Sequence, residues 1–176
     1  MTTEIKYGLI TGFSVCGWML LQFFLGFHTT HLEYGSVANQ LSLLILIIGW
    51  YLMLRAKREK DFGGALSFNQ GFKAGVVASS ITAAIITVFS QLYNRVINPG
   101  WTQRAYEWQM ARLRDSGTSE ADLAQLRQSY EASIHAPLVS QILSGLVGSA
   151  VMGIVIAAII CVMMRRPAKT SAAPAA

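Results

Sequence analysis

Charge is scarce in this chain. Of its 176 residues only 13% are Asp, Glu, Lys or Arg and 53% are hydrophobic, where a soluble domain carries about a quarter charged residues. The mean hydropathy is +0.43, which excludes an ordinary water-soluble globule. A net charge of +5 is small beside that apolar content, so disorder is excluded for all but the ends. Cysteine is nearly missing too. Cys16 and Cys161 both lie inside long apolar runs and read as small membrane-buried side chains, which excludes a disulfide framework or the paired spacing of a zinc site. There is no Walker-type loop, nucleophile elbow, metalloprotease helix or dinucleotide fingerprint, so no catalytic or cofactor site is visible. No ionisable side chain falls near the middle of an apolar run, where a proton-coupled carrier would hold one.

What the chain has instead is four apolar runs: Tyr7 to Phe27, Val37 to Leu54, about Gly71 to Tyr93, and Leu138 to Met164. About 20 helical residues cross a hydrocarbon core of about 30 Å, so each is long enough to span or nearly so. A cleaved signal peptide would have a shorter apolar core, a basic start and a small-x-small cleavage site, whereas this run is followed by Gly26-Phe27-His28-Thr29-Thr30-His31, so it is expected to be retained. The second reaches Trp50-Tyr51, residues suited to a headgroup boundary. The third follows Ser67 with Gln70 three residues on, the pattern of a capping box, and Asn98-Pro99-Gly100 stops it. The last closes on Arg165-Arg166-Pro167. Residues 1–166 are therefore expected to form a single four-span membrane domain, and 167–176 a disordered cytoplasmic tail.

The isoelectric point near 9.5 does not indicate nucleic acid. The cations gather at the ends of apolar runs rather than on a basic face interleaved with aromatics, which makes them topology signals. One side of the membrane receives nine of them: Lys6, Arg55, Lys57, Arg58, Lys60, Lys73, Arg165, Arg166 and Lys169. The other receives Arg95, Arg104, Arg112, Arg114 and Arg127. Four of the nine crowd into the loop Arg55 to Lys60, directly under the second span, where an anionic leaflet would also attract them. Both termini are thus expected on the cytoplasmic side of a bacterial inner membrane. The long segment between spans three and four falls on the outer, periplasmic side. Trp101, Ala105 and Trp108, then Leu123, Leu126, Tyr130 and Ile134, recur at helical spacing around a Ser116-Gly117-Thr118 turn, which predicts a helical hairpin over about 100–136.

With this plan the chain resembles, end to end, the bacterial membrane-protein family called domain of unknown function 4199. The resemblance rests on Gly26-Phe27-His28, on Gly64-Ala65-Leu66-Ser67-Phe68-Asn69-Gln70-Gly71-Phe72-Lys73-Ala74-Gly75, and on an outer helical insertion before a Gly-rich last span. The middle tract is the most specific part, because hydropathy alone does not demand its glycines and its Ser-Phe and Gly-Phe pairs. It implies a four-span integral membrane protein with no assigned activity and no catalytic residues to carry over.

Two constellations stand out. Small residues recur every fourth position: Gly71, Gly75, Ser79, Ala83 and Thr87 in span three, Gly145, Ser149, Gly153, Ala157 and Cys161 in span four, and Gly8, Gly12 and Cys16 in span one. In lipid such stripes let backbones approach closely enough for van der Waals packing to hold them. Packing within one bundle is the first reading, and a face for a second copy or another membrane protein is the other. The second constellation is His28, His31, Glu33 and His135, all on the outer side, which form a candidate set of metal ligands if the first helix continues through His31. Plain interfacial polar residues are the simpler reading. Buried Ser and Thr more often bond across helices than bind a solute. The fold class expected is therefore all-α: four transmembrane helices with an outer hairpin between helices 3 and 4. The function expected is a non-enzymatic interaction or accessory subunit, with the bilayer and another copy or another membrane protein as partners. The rival is a small transporter or channel for a neutral solute or metal ion, lined by Ser79, Thr82, Ser144 and Ser149.

Overall fold

A computed structural model describes residues 1–164; the tail expected at 167–176 lies outside the described residues. Its elements are α1 (Thr3–Phe24), α2 (Leu32–Lys60), α3 (Phe68–Leu92), a π-helical turn (Tyr93–Ile97), α4 (Trp101–Asp115), α5 (Glu120–Ile134) and α6 (Leu138–Met164). Among the described residues there is no β-strand, and four helices are long and apolar enough to cross a membrane: α1, α2, α3 with its π-helical turn, and α6. They form a four-cornered bundle. The most extensive packing is α3 on α6, followed by α1 on α3, α1 on α2 and α2 on α6, with α2 and α3 touching across a diagonal.

The antiparallel α3–α6 seam is built by the small residues of both helices. A Cβ added at Gly75 would sit 2.6 Å from the Ala157 Cβ, one at Gly153 would sit 2.7 Å from the Ser79 Oγ, and one at Gly71 would run into the Cys161 sulfur. Further along, Gly145 faces Thr87 and Ala83 is buried. Ser149 is half-buried on α6 and lines a cavity with Ser79. Gly8 and Gly12 do the same for α1 against Ala78, Ile81 and Ile85 of α3, and the Thr82 hydroxyl donates to the Gly8 carbonyl at 2.9 Å. With no hydrophobic drive between helices in lipid, this close approach is what holds them.

Two expectations are corrected. The basic stretch Arg55 to Lys60 is not a loop but the last turns of α2, where Arg55 pairs with Glu59 one turn on and Lys57 reaches Glu4 of α1 at 2.8 Å. At 29 residues, α2 runs roughly 43 Å at 1.5 Å per residue, longer than a hydrocarbon core of about 30 Å. Hydropathy marks only the part that suits lipid, so the polar continuation was invisible to it. Trp50 is likewise not at a boundary. It is fully buried in the bundle core with Met53, Leu54, Ala78 and Ala157, its indole N–H donating to the Gly153 carbonyl at 2.9 Å. The missing side chain at Gly153 serves Ser79 rather than the indole, because a Cβ there would stand 2.7 Å from the Ser79 Oγ but at ordinary contact, 3.5 Å, from the Trp50 ring.

Two helix starts are fixed by side-chain caps. At α3 the Ser67 hydroxyl accepts from the Gln70 N–H at 3.4 Å, and the Gln70 side chain accepts from the Ser67 N–H at 3.0 Å, a complete capping box. Ser119 caps α5 by accepting from the Asp122 N–H at 3.2 Å. Between α4 and α5 the chain turns at Ser116–Thr118, with Gly117 at φ +81°. The two short helices clasp through Tyr106 and Tyr130, whose rings stack at 3.8 Å.

Candidate functional site

The best-ordered polar cluster sits where α1 ends, α3 ends and α4 begins. Helix α1 stops at Phe24. Gly26 then takes a left-handed backbone (φ +77°), which suits glycine alone among common residues, and its carbonyl gathers the N–H groups of Thr29, Thr30 and His31 at 2.9 to 3.1 Å. This tight turn drives His28 inward, 3% exposed, and leaves Thr29, Thr30 and His31 outside. From the opposite side α3 widens into the π-helical turn, which places Tyr93 fully inside. Such turns are rare and concentrate at functional positions.

The side chains then form a directed chain. Arg104 of α4 bonds the Asn98 Oδ1 and, through Nη1, the Pro99 carbonyl at 3.3 Å. The Asn98 Nδ2 donates to the Tyr93 Oη at 3.1 Å, and that oxygen lies 2.5 Å from the His28 Nδ1. A guanidinium can only donate, so Asn98 Oδ1 accepts and its amide nitrogen faces Tyr93. The Tyr93 oxygen accepts from Asn98, and Nδ1 is the acceptor within reach of its own proton, a pairing that uses the hydroxyl fully and places the imidazole proton on Nε2. Burial pushes the His28 pKa down to about 4, so the ring is neutral near pH 7. Trp101 stacks on it at 4.0 Å, and Phe23 meets Tyr93 edge-on at 6.0 Å. The cluster is a clasp: it joins the first residues of α4 to the end of the bundle.

The four expected metal ligands are not brought together. Because α1 ends before His28, His28 and His31 do not share a helical face; one is buried against Tyr93 and the other is exposed at the start of α2 beside Tyr34. Glu33 is exposed on the first turn of α2, and His135 is exposed at the C-terminus of α5. Among the described residues no three His, Cys, Asp or Glu side chains converge on one point. The residues that do converge, Tyr93, Asn98 and Arg104, were read as span end, helix stop and outer cation. The one sequence hint was a tyrosine five residues before Asn98-Pro99-Gly100, polar enough to need a partner at the end of an apolar run.

Beside the clasp opens a cavity of about 620 Å³ between α4 and the first turns of α2, walled by His28, Trp101, Trp108, Leu32, Leu113 and Arg112, with Ser36, Asn39 and Gln109 at its polar edge. Arg112 lies over the Trp108 ring at 5.3 Å. A smaller cavity of about 250 Å³ lies inside the bundle among Trp50, Ser79, Thr82 and Ser149. There the Ser79 hydroxyl is buried with no partner. Ser144 is not part of it; it faces a separate cleft with Gln91 and Asn94.

These features define a helical bundle of four helices long and apolar enough to cross a membrane, with a two-helix hairpin clasped to one end. A family model described as Protein of unknown function (DUF4199) matches residues 6–166, nearly the whole chain, and the protein belongs to that family. No curated protein and no solved structure matches it.

Proposed function

We propose that this is a non-enzymatic accessory subunit of the bacterial inner membrane, with both termini cytoplasmic, that holds its α4–α5 hairpin on the outer face for another membrane protein to engage. One observation carries the reading: the side chains of the clasp bond to one another in series, from Arg104 through Asn98 and Tyr93 to His28, and so position the hairpin. The basic helix end Arg55 to Lys60 at the opposite end of α2 supports the orientation by the positive-inside rule. Photo-crosslinking residues placed along the exposed face of α5, at Gln125 and Gln128, test it in cells. The expected result is one discrete protein adduct from α5, weakened when Arg104→Ala opens the clasp. Crosslinks to lipid alone, or adducts indifferent to the clasp, would count against it.

The second reading, a path for a small neutral solute, draws on the unpartnered Ser79 hydroxyl in the inner cavity. Water-soluble thiol reagents reaching cysteines placed at positions 79 and 149 would support it, and protection would favour packing.

A further inference from the structure

Beyond the role of the hairpin, we propose that the cavity between α4 and the start of α2 binds an amphiphilic organic anion, with the anionic group on Arg112 and the apolar body along Trp108 and Leu32. The charge of the wall comes first. Arg112 is the one ionised side chain lining the cavity, and no acid lines it; Glu33 sits on the same turn of α2 but is exposed and outside the lining. Among the described residues no carboxylate pairs with Arg112, whereas Arg114 two residues on reaches Glu120 at 3.9 Å. Resting over an indole holds the guanidinium at the cavity wall, available to a carboxylate or phosphate.

A second donor belongs to His28, which lines the same cavity. The chain from Arg104 fixes the His28 Nδ1 as an acceptor from Tyr93, so Nε2–H is the free donor of a ring that lines this cavity. A neutral, sterically locked N–H selects an acceptor without adding charge. One cation and one neutral donor are too few to replace the hydration of a small inorganic ion, while the indoles of Trp101 and Trp108 with Leu32 and Leu113 offer mostly carbon. The volume, about 620 Å³, falls in the range of about 300–1,000 Å³ typical of small-molecule sites. An anion joined to an apolar body answers both halves of the wall. Its two natural sources are an anionic membrane lipid and a free organic acid.

The test uses the full chain in phosphatidylcholine nanodiscs and tryptophan quenching by dibrominated stearate, with dibrominated stearyl alcohol as the uncharged control. The Trp108 signal is taken as the difference between the wild type and Trp108→Phe. Saturable quenching is expected from the acid, with half-saturation raised at least about tenfold by Arg112→Gln and kept near wild type by Arg112→Lys. Arg112 is exposed, so both variants should fold, and far-UV circular dichroism checks this. Equal half-saturation for acid and alcohol would overturn the proposal, as would indifference to Arg112→Gln or quenching that only rises in proportion to probe in the disc. Repeating the titration with brominated phosphatidylglycerol assigns the source. Saturable quenching by the lipid supports a membrane source, and quenching by the free acid alone supports a soluble one.

Discussion

Adding a single methyl group at Gly75 should loosen the bundle. The Cβ of Gly75→Ala would lie 2.6 Å from the Cβ of Ala157, about 1 Å inside ordinary carbon contact. Neither atom can rotate away, because each is fixed by its own helix backbone. The strain must be relieved by parting α3 from α6 along their most extensive seam, and overpacking of this kind costs about 1–3 kcal/mol. A loss of about 2 kcal/mol lowers the folded-to-unfolded ratio roughly thirtyfold. Removing the opposing methyl with Ala157→Gly should restore most of it, giving a coupling energy of at least about 1.5 kcal/mol in the double-mutant cycle. Gly17→Ala and Gly148→Ala serve as controls, since a Cβ at either meets nothing within 4 Å, and both should stay within about 0.5 kcal/mol of wild type. Reversible unfolding in mixed micelles, driven by sodium dodecyl sulfate and followed by far-UV circular dichroism, measures all six proteins. Equal effects at Gly75 and Gly148, or no rescue by Ala157→Gly, would refute the reasoning.

Other consequences can be checked alongside. Tyr93→Phe strips the hydroxyl that bridges His28 and Asn98, leaving two buried groups unpaired at about 1–3 kcal/mol; an unchanged unfolding midpoint would contradict the clasp. The His28 pKa falls from 6.5 to about 4 on folding through burial. Between those values the unfolded chain takes up a proton that the folded chain refuses, so the stability is complete above about pH 6.5 and declines as pH drops toward 4, by about 3 kcal/mol at most. Melting temperatures of wild type and His28→Gln compared across that window should converge at the acid end, and parallel profiles would exclude His28 as the cause. In cells, Gln125→Cys should react with an impermeant maleimide from outside and Lys60→Cys only after permeabilisation. The reverse pattern would invert the proposed orientation.

Much of the architecture is legible in the sequence because lipid leaves few alternatives. Long uncharged runs mark the helices, Ser67 and Gln70 mark the start of α3, and the spacing of Trp101, Ala105 and Trp108 shows the first helix of the hairpin. Gly75 and Ala157 show the seam because close backbone approach needs small side chains at one repeat on both helices. Hydropathy is silent where a side chain's direction decides the outcome. It ranks Trp50 as interfacial, although the indole N–H finds the Gly153 carbonyl inside the core. The clasp is hidden for a related reason: Tyr93 turns inward only because α3 widens into a π-helical turn, and His28 turns inward only because Gly26 ends α1 early. Both are backbone events with no periodic signature. Once α1 is taken to run on through His31, the histidines look like neighbours, and the metal quartet followed from that one misplaced helix end.

Native mass spectrometry of the full-length protein, released from its own membrane in the gentlest workable detergent, tests the accessory-subunit claim most directly. The account predicts a complex heavier than the 19.2 kDa chain that resolves on activation into this protein and a different membrane protein in fixed ratio, and that the Arg104→Ala variant releases more readily. A bare monomer at 19.2 kDa, unaltered by the clasp variant, would contradict it.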